Sequence, residues 1–398
     1  MKIAMMTNNY KPFVAGVPVS VERLTQGLRE QGHQVVVFAP SYDGQQEERD
    51  VVRYRSFLRG VAGGVSIPNS LDPEIERKFR EGDFDLIHVH HPMMIGDTAR
   101  YLSWKYHVPL VFTYHTRYEQ YLHYVGLSAL KRAMPAYVRH CTRRCDMVIA
   151  PTPLMKEHLE GLRLSSQVAV LPTGLKGDSF HPEEEKSMSI RKALLGGRKY
   201  LFCTVARLAK EKNLEFLLRS LKLRKDACGG DFKLALVGEG PHRQAIERLA
   251  GELGLWEEVV FVGEVPNGEV KNYCHGADLF LFPSLSETQG IVLLESMAAG
   301  TPVVALRATG TQDVVVNGRN GYMTEASEIE FERKIMDILE KKELDFLRQG
   351  ARQTALLYGS EGIARQAALV YARAIQLRRE KESQRHNHRD RAGNVVYL

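Results

Sequence analysis

The sequence lacks any long apolar run. Across its 398 residues no window approaches the ~18–20 uninterrupted apolar residues of a membrane span. The apolar stretch at the start ends at Met6, before Thr7 and Asn8, short of the ~7–15 apolar residues of a secretory signal. The chain is therefore expected to be intracellular and not to span a membrane. Paired cysteines are missing too. The five present, at 141, 145, 203, 228 and 274, are an odd number, and Cys141 and Cys145 have no second pair to complete a zinc site. Reduced thiols are expected, not disulfides or a metal centre. A GxGxxG motif is absent where the first strand should deliver one, since the chain there reads Asn8-Asn9-Tyr10-Lys11-Pro12. That excludes a dinucleotide-dependent dehydrogenase.

What is present is a globular composition, 44% hydrophobic and 26% charged. At ~100–200 residues per domain, the length predicts two domains. The net charge of +6 is unevenly spread. Residues 100–144 hold Arg100, Lys105, Arg117, Lys131, Arg132, Arg139, Arg143 and Arg144 against Glu119 alone, a local excess of +7. Such a patch suits an anionic membrane surface or nucleic acid, or is simply a solvated face.

Short β-branched runs alternate with amphipathic stretches, the pattern of βαβ units around parallel sheets. In the first half, strands are predicted at Lys2–Thr7, Gln34–Ala39, Leu86–His90, Pro109–His115 and Met147–Ala150. Helices are predicted at Ser20–Gln31, Asp97–Tyr106 and Leu127–Arg144. A second series begins near residue 199, with strands at Tyr200–Val205, Leu234–Val237, Val259–Val262, Leu279–Phe282 and Val303–Leu306. The break between them is the Pro/Gly/acid-rich stretch LPTGLKGDSFHPEEEKS. The fold class is α/β: two Rossmann-like domains facing across a cleft, with ligands beyond the carboxyl ends of the strands. Ile363–Leu377 has helical periodicity, and the polar sequence from about residue 380 is expected to be a disordered basic tail.

The strongest constellation is Glu287-Thr-Gln-Gly-Ile-Val-Leu-Leu-Glu295, after the strand Leu279–Phe282. A helix starting near Gly290 directs the amides of Gln289, Gly290 and Ile291, and its positive dipole end, at one point. That is a cradle for a diphosphate, and Gly290 allows close approach. Glu295, further along the helix, can accept from ribose hydroxyls, and Glu287 from a sugar. Arg207 and Lys212 follow the strand Tyr200–Val205, where a guanidinium fork and an ammonium can neutralise the same diphosphate. Lys210 between them is read as solvated. Gly238 and Gly240, in Val-Gly-Glu-Gly-Pro, form a further loop at a strand end and are candidates for binding the same donor.

Taken together these segments resemble the retaining glycosyltransferases of family GT4, which have the GT-B fold. The likeness rests on E-x7-E (Glu287, Glu295), R-x4-K (Arg207, Lys212), the VGEGP loop and the PTG linker at Pro172–Gly174, and it runs from Met1 to about Arg379. It implies an acceptor-binding domain over 1–176, completed by a helix at about 360–379 that crosses back to it. A nucleotide-sugar-binding domain spans 177–359, and the tail covers 380–398. It further implies net retention, no cofactor and no metal requirement.

The same resemblance assigns roles in the first half. Ala15-Gly16-Val17-Pro18 matches the glycine loop that relatives hold against the transferred sugar and β-phosphate, with Gly16 the critical residue. His115 matches the family's catalytic-site histidine, and at a strand end it can donate a hydrogen bond to a sugar 6-hydroxyl; positioning is expected of it, not proton transfer. Of the neighbouring histidines in DLIHVHHP, His90 is expected to face the cleft, and His88 and His91 to take packing or solvent roles.

Within the family, residues 114–124 after HVHHPMMIG look most like diacylglycerol glucosyltransferases, peripheral membrane enzymes that use UDP-glucose. Tyr114, Glu119 and His90 become acceptor-side candidates. The basic, amphipathic segment 100–144, with Trp104 and Leu127, Leu130, Met134 and Val138, would then serve a lipid surface at the inner face of the cytoplasmic membrane. The alternatives are the same chemistry on phosphatidylinositol, a polyprenyl-linked intermediate or a soluble sugar, or a non-catalytic nucleotide-sugar or nucleic-acid binding protein. Glu287, Arg207, Lys212 and His115 together argue against the last, and no nucleic-acid partner is expected.

Overall fold

The computed structural model describes every residue except 14, 44, 46–47, 62–64, 118–131 and 394–398, and for 59–61, 65–66 and 385–393 it describes the backbone alone. Contacts group the chain into two compact units, Met1–Gly174 with Ser360–Leu398, and Leu175–Gly359. Glu119 and the first part of the predicted helix Leu127–Arg144 lie outside the described residues.

The first unit runs β1 (Lys2–Met6), α1 (Gly16–Glu30), β2 (Gln34–Pro40), β3 (Val51–Tyr54), β4 (Ser56–Val61), β5 (Val65–Pro68), α2 (Pro73–Gly82), β6 (Leu86–Val89), α3 (Ile95–Tyr106), β7 (Leu110–Thr113), α4 (Met134–Thr142), β8 (Met147–Ala150), α5 (Pro153–Gly161) and β9 (Gln167–Val170). Seven of these strands make one parallel sheet in the order β3-β2-β1-β6-β7-β8-β9, and β4 pairs β5 as an antiparallel ribbon. Alternation sorts the side chains. Ala4 and Met6 join the apolar core on one face, and Ile3 and Met5 the core on the other.

The second core is closed by the last helix, α13 (Ser360–Gly393), whose Ile363, Ala364, Ala367, Tyr371, Ala374 and Leu377 recur at helical spacing and are buried. Small residues let α1 and α13 approach: a methyl group added at Gly27 would sit 3.0 Å from Ala364 Cβ. The Gly of Pro172-Thr-Gly174 has a similar reason, since its added Cβ would lie 2.9 Å from Ser360 Cα. The polar sequence beyond residue 380 continues this helix to Gly393, contrary to the disordered tail expected there. One local and two long-range contacts hold the start of this stretch in the helix. Gln376 Nε2 donates to Glu380 at 2.7 Å, and Lys381 and Arg378 reach the buried Asp146 at 3.0 and 3.2 Å.

The second unit comprises α6 (Glu184–Leu195), β10 (Tyr200–Val205), α7 (Leu214–Cys228), β11 (Phe232–Val237), α8 (Arg243–Glu252), β12 (Val259–Gly263), α9 (Val270–Gly276), β13 (Leu279–Phe282), α10 (Ile291–Ala298), β14 (Val303–Leu306), β15 (Gly321–Thr324), α11 (Glu328–Glu340) and α12 (Leu344–Leu356). Its six parallel strands are ordered β12-β11-β10-β13-β14-β15, with an apolar core on each face. Both units are Rossmann-like. No helix among the described residues is long and apolar enough to cross a membrane.

Candidate active site

In an open parallel sheet the strand order reverses direction at one point, and the loops leaving the carboxyl ends there diverge and leave a crevice. In the second unit that point lies between β10 and β13. The loops that follow these two strands carry Arg207–Lys212 and Pro283–Gly290. They are tied together: Asn213 Nδ2 donates to Pro283 O at 3.1 Å. Lys212 Nζ donates to Glu287 Oε1 at 2.5 Å, and Ser284 Oγ donates to the same oxygen at 3.0 Å. Lys212 and Glu287 are both largely shielded, with 23% and 19% of their side chains exposed.

Arg207 is 65% exposed and donates to Glu211 Oε1 at 2.6 Å. Burial pushes the Glu211 carboxyl up, but the hydrogen bond and charge of Arg207 outweigh it, and the net shift is downward. In the sequence Glu211, an acid between Lys210 and Lys212, looks like surface charge patterning and gives no sign of this contact. Lys210 is exposed.

Gly290, at φ +69°, is the residue before α10, and no side chain caps that helix. The amide of Leu293 bonds Gly290 O at 3.0 Å, whereas those of Ile291 and Val292 precede any carbonyl the helix could offer, and the positive end of the helix dipole lies at the end of the loop that carries Glu287. Gln289 is buried and Glu295 lies half-buried on α10. The buried face of α10 is Leu293, Leu294, Met297 and Ala298; Ile291 is half-buried.

Gly238 and Gly240 meet protein backbone. A Cβ on Gly238, at φ +129°, would lie 2.1 Å from Ala206 O, and one on Gly240 2.3 Å from Leu208 O. The amide of Leu208 donates to Glu239 O, and that of His242 to Leu208 O, both at 2.9 Å. The glycines let the loop after β11 brace the loop that carries Arg207. Gly238→Ala is expected to cost about 2–4 kcal/mol through the clash and the left-handed backbone. It should also displace the loop that carries Arg207, and thermal unfolding would report the loss of stability. A variant of unchanged stability would contradict this packing.

In the first unit the reversal lies between β1 and β6. Thr7 and Asn8 follow β1, and His90 and His91 follow β6. Asn8 joins the two ends: its amide donates to His91 Nδ1 at 3.1 Å, its Nδ2 donates to Met93 O at 3.1 Å, and its Oδ1 accepts from the Ile95 amide at 3.2 Å. Asn8 was not singled out from sequence, where it merely marked the end of a strand.

His90 does not face the cleft as expected. It is 1% exposed, with Nδ1 2.8 Å from His115 Nε2 and Nε2 2.8 Å from Met5 Sδ. Its position at the end of β6 places the ring over the buried face that Met5 shares. Tyr114 is equally buried and packs edge-on against Phe112, centroids 6.4 Å apart, so an acceptor cannot reach it. One step along the chain, His115 turns to the opposite side and is half-buried. His88 lies 2.7 Å from the Tyr371 hydroxyl and 2.7 Å from Thr113 Oγ1, a packing role as expected. His91 is half-buried and braces the loop after β1.

Burial holds all four rings neutral, pushing His88 and His115 down to about 3 and His91 to about 4, and lowering His90 well below the usual histidine range. Among the described residues no group of three or more His, Cys, Asp or Glu is placed to hold a metal ion. Gly16 is the first residue of α1, and a Cβ there would meet nothing within 4 Å, so no protein packing requires glycine at that position.

Comparison with known proteins bears on this arrangement. Residues 14–176 match the family described as Glycosyltransferase Family 4, and residues 186–353 the one described as Glycosyl transferases group 1. The chain is 30% identical over 329 residues to the alpha-monoglucosyldiacylglycerol synthase of Streptococcus pneumoniae, covering 77% of this chain and 71% of that one. It is 27% identical over 402 residues to the synthase of the same name from Acholeplasma laidlawii, covering 96% and 99%. Among solved structures, HepE of Anabaena in complex with UDP matches with a TM-score of 0.76 at 19% identity, over 94% of this chain and 100% of that one, a likeness of fold. The chain belongs to the GT4 glycosyltransferases and has their GT-B fold.

Proposed function

We propose that this glycosyltransferase moves glucose from UDP-glucose to a lipid hydroxyl such as that of 1,2-diacylglycerol, at an anionic membrane surface and with retention at the anomeric carbon. The observation that carries the reading is the similarity to two alpha-monoglucosyldiacylglycerol synthases, one of them aligned over 96% of this chain and 99% of its own. UDP is taken from the complex of HepE.

The residues divide the work by chemistry. Arg207, Lys212 and the amides at Gln289, Gly290 and Ile291 are assigned to the diphosphate, whose departure they assist by stabilising the charge that develops on it. Glu287 is assigned to a sugar hydroxyl, Glu295 to the ribose, and Gly16 to the close approach of the transferred group. His115 is assigned to orienting the sugar.

Part of the charge of segment 100–144 is neutralised by acids outside it. Lys105 pairs with Glu76 at 2.5 Å, and Arg100 pairs with Asp97. Helix α4 turns Met134 and Val138 inward, so its apolar side serves its own core. What faces outward is Arg132, Arg139, Arg143 and Arg144, with Tyr101 42% and Trp104 61% exposed on α3. Basic side chains beside interfacial aromatics attract anionic lipid without insertion of a helix. Co-sedimentation with phosphatidylglycerol vesicles is expected in low salt and should fall as salt rises. Radiolabelled UDP-glucose should transfer label to diacylglycerol in those vesicles. Absence of vesicle binding, or label passing only to a soluble sugar or to phosphatidylinositol, would overturn the acceptor and leave the transferase class standing.

A further inference from the structure

Three side chains from three different elements of the first unit form a chain of contacts: Met5 on β1, His90 after β6 and His115 after β7. The distances are 2.8 Å from Met5 Sδ to His90 Nε2 and 2.8 Å from His90 Nδ1 to His115 Nε2. The rings of His90 and His115 lie nearly parallel, with centroids 5.1 Å apart.

A neutral imidazole has one N–H and one lone pair, and a thioether sulfur has no proton to give. At His90 Nε2 a lone pair would face the sulfur lone pairs, whereas an N–H makes a weak hydrogen bond to a polarisable acceptor. The contact therefore places the proton of His90 on Nε2 and leaves Nδ1 as an acceptor. His115 Nε2, across 2.8 Å, must then supply the proton of that second hydrogen bond. A neutral His115 that spends its proton on Nε2 carries a lone pair at Nδ1. Burial, which disfavours a charge on either ring, keeps both neutral, so each ring carries one proton.

We propose that His90 is a positioning residue which, backed by Met5, fixes His115 as the Nε2–H tautomer. His115 then accepts at Nδ1 and does not donate there. The donated hydrogen bond to a sugar hydroxyl expected from sequence is thereby reversed: a hydroxyl meeting Nδ1 gives its proton to the ring and keeps its own lone pairs outward. A donor sugar bearing a carboxylate in place of that hydroxyl would meet lone pair with lone pair and be rejected. The direction of this bond rests on the assignment of His115 to the sugar, but the tautomer does not.

The tautomer is read directly by long-range proton–nitrogen correlation on protein labelled with 15N-histidine, His115 being assigned by the signal lost in His115→Gln. A protonated Nε2 and an unprotonated Nδ1 are expected at pH 7.5; the opposite pattern overturns the proposal whatever the activity. Kinetics supply the second arm. His90→Phe removes the acceptor and should lower kcat for UDP-glucose about 10–100-fold, the range seen when an orienting partner is lost, with UDP affinity unchanged. In His90→Asn the side-chain oxygen can take the place of Nδ1, and most of the lost rate should return. Met5→Leu, which keeps the volume and removes the sulfur, should leave His115 a mixture of tautomers and lower kcat by a smaller factor. Equal kcat in His90→Phe and wild type, or no return in a folded His90→Asn, would sink the idea. Undiminished transfer by His115→Ala would remove the role of His115 itself and leave the tautomer measurement to stand on its own.

Discussion

Replacing Lys212 by alanine is expected to lower kcat/KM for transfer from UDP-glucose by about 10²–10³-fold, the loss that follows removal of one preorganised group from a developing charge. The same change at Lys210 should stay within about twofold. The two lysines sit two positions apart in one turn, so sequence alone ranks them only through the R-x4-K spacing. The structure separates them physically. Lys212 is 23% exposed, and its ammonium is held against Glu287 with Ser284 on the same oxygen. Lys210 is exposed to water. A charge fixed in a partly desolvated crevice acts through a lower effective dielectric than one on a solvated stem, so its interaction with a diphosphate is several times larger.

Lys212→Ala also leaves Glu287 without its cation, so the stability of the variant has to be measured alongside. Lys212→Arg, which keeps the charge, separates the effects. It should restore the fold and part of the UDP affinity, but not the full rate, because a planar fork does not place charge where a compact ammonium does. Equal losses at Lys210 and Lys212 would mean that the diphosphate is held elsewhere.

The two classes of site residue differ in how far sequence could reveal them. Donor-side residues lie in two continuous loops, each following a strand whose β-branched or aromatic run was plain, and the strands Tyr200–Val205, Leu279–Phe282 and Val303–Leu306 have the bounds expected from pattern. What pattern could not supply was contact between loops. Glycines 238 and 240 read as ligand-facing because a glycine-rich strand end commonly is. Their neighbours turn out to be the carbonyls of Ala206 and Leu208, contributed by a loop about thirty residues earlier.

On the other side the histidine cluster failed in a different way. Alternation along a strand puts Tyr114 and His115 on opposite sides, but it cannot say which side is core. Nor can it report that Tyr371, from a helix more than two hundred residues away in sequence, closes over His88. The polar composition of the tail suggests disorder, but the i, i+4 pairing of Gln376 with Glu380 and the long reach of Lys381 to Asp146 hold its start in the helix.

That cluster also predicts a strong acid lability. His88 titrates at about 3 in the folded chain, through burial, against 6.5 for an unburied ring. Its folded-state affinity for a proton is the lower one, so between those values the unfolded chain binds more protons and stability must rise with pH. The contribution is complete above about pH 6.5 and is lost as pH falls from there toward 3. The slope for one such ring is about 1.4 kcal/mol per pH unit, so His88 alone removes about 2 kcal/mol between pH 6.5 and pH 5. His91 and His115 act in the same direction over the same interval.

The polar contacts made by these rings do not offset the effect. His88 meets two hydroxyls, His90 a thioether and another imidazole, and His91 a backbone amide and Thr7, and a neutral partner cannot repay the desolvation of an imidazolium. Urea unfolding at pH 7, 6 and 5 should therefore show a midpoint that drops steadily, with a pH slope corresponding to more than one proton taken up on unfolding. His88→Gln, which can keep a hydrogen bond to Thr113 without a titrating ring, should be less stable than wild type at pH 7 and should shorten the slope by about one proton. A midpoint that holds constant from pH 7 to pH 5 would mean that these rings, His90 included, take up protons in the native state as they do in the unfolded chain. His90 would then lose the single lone pair through which it fixes His115, so the acid titration and the tautomer measurement test the same neutral cluster by independent routes.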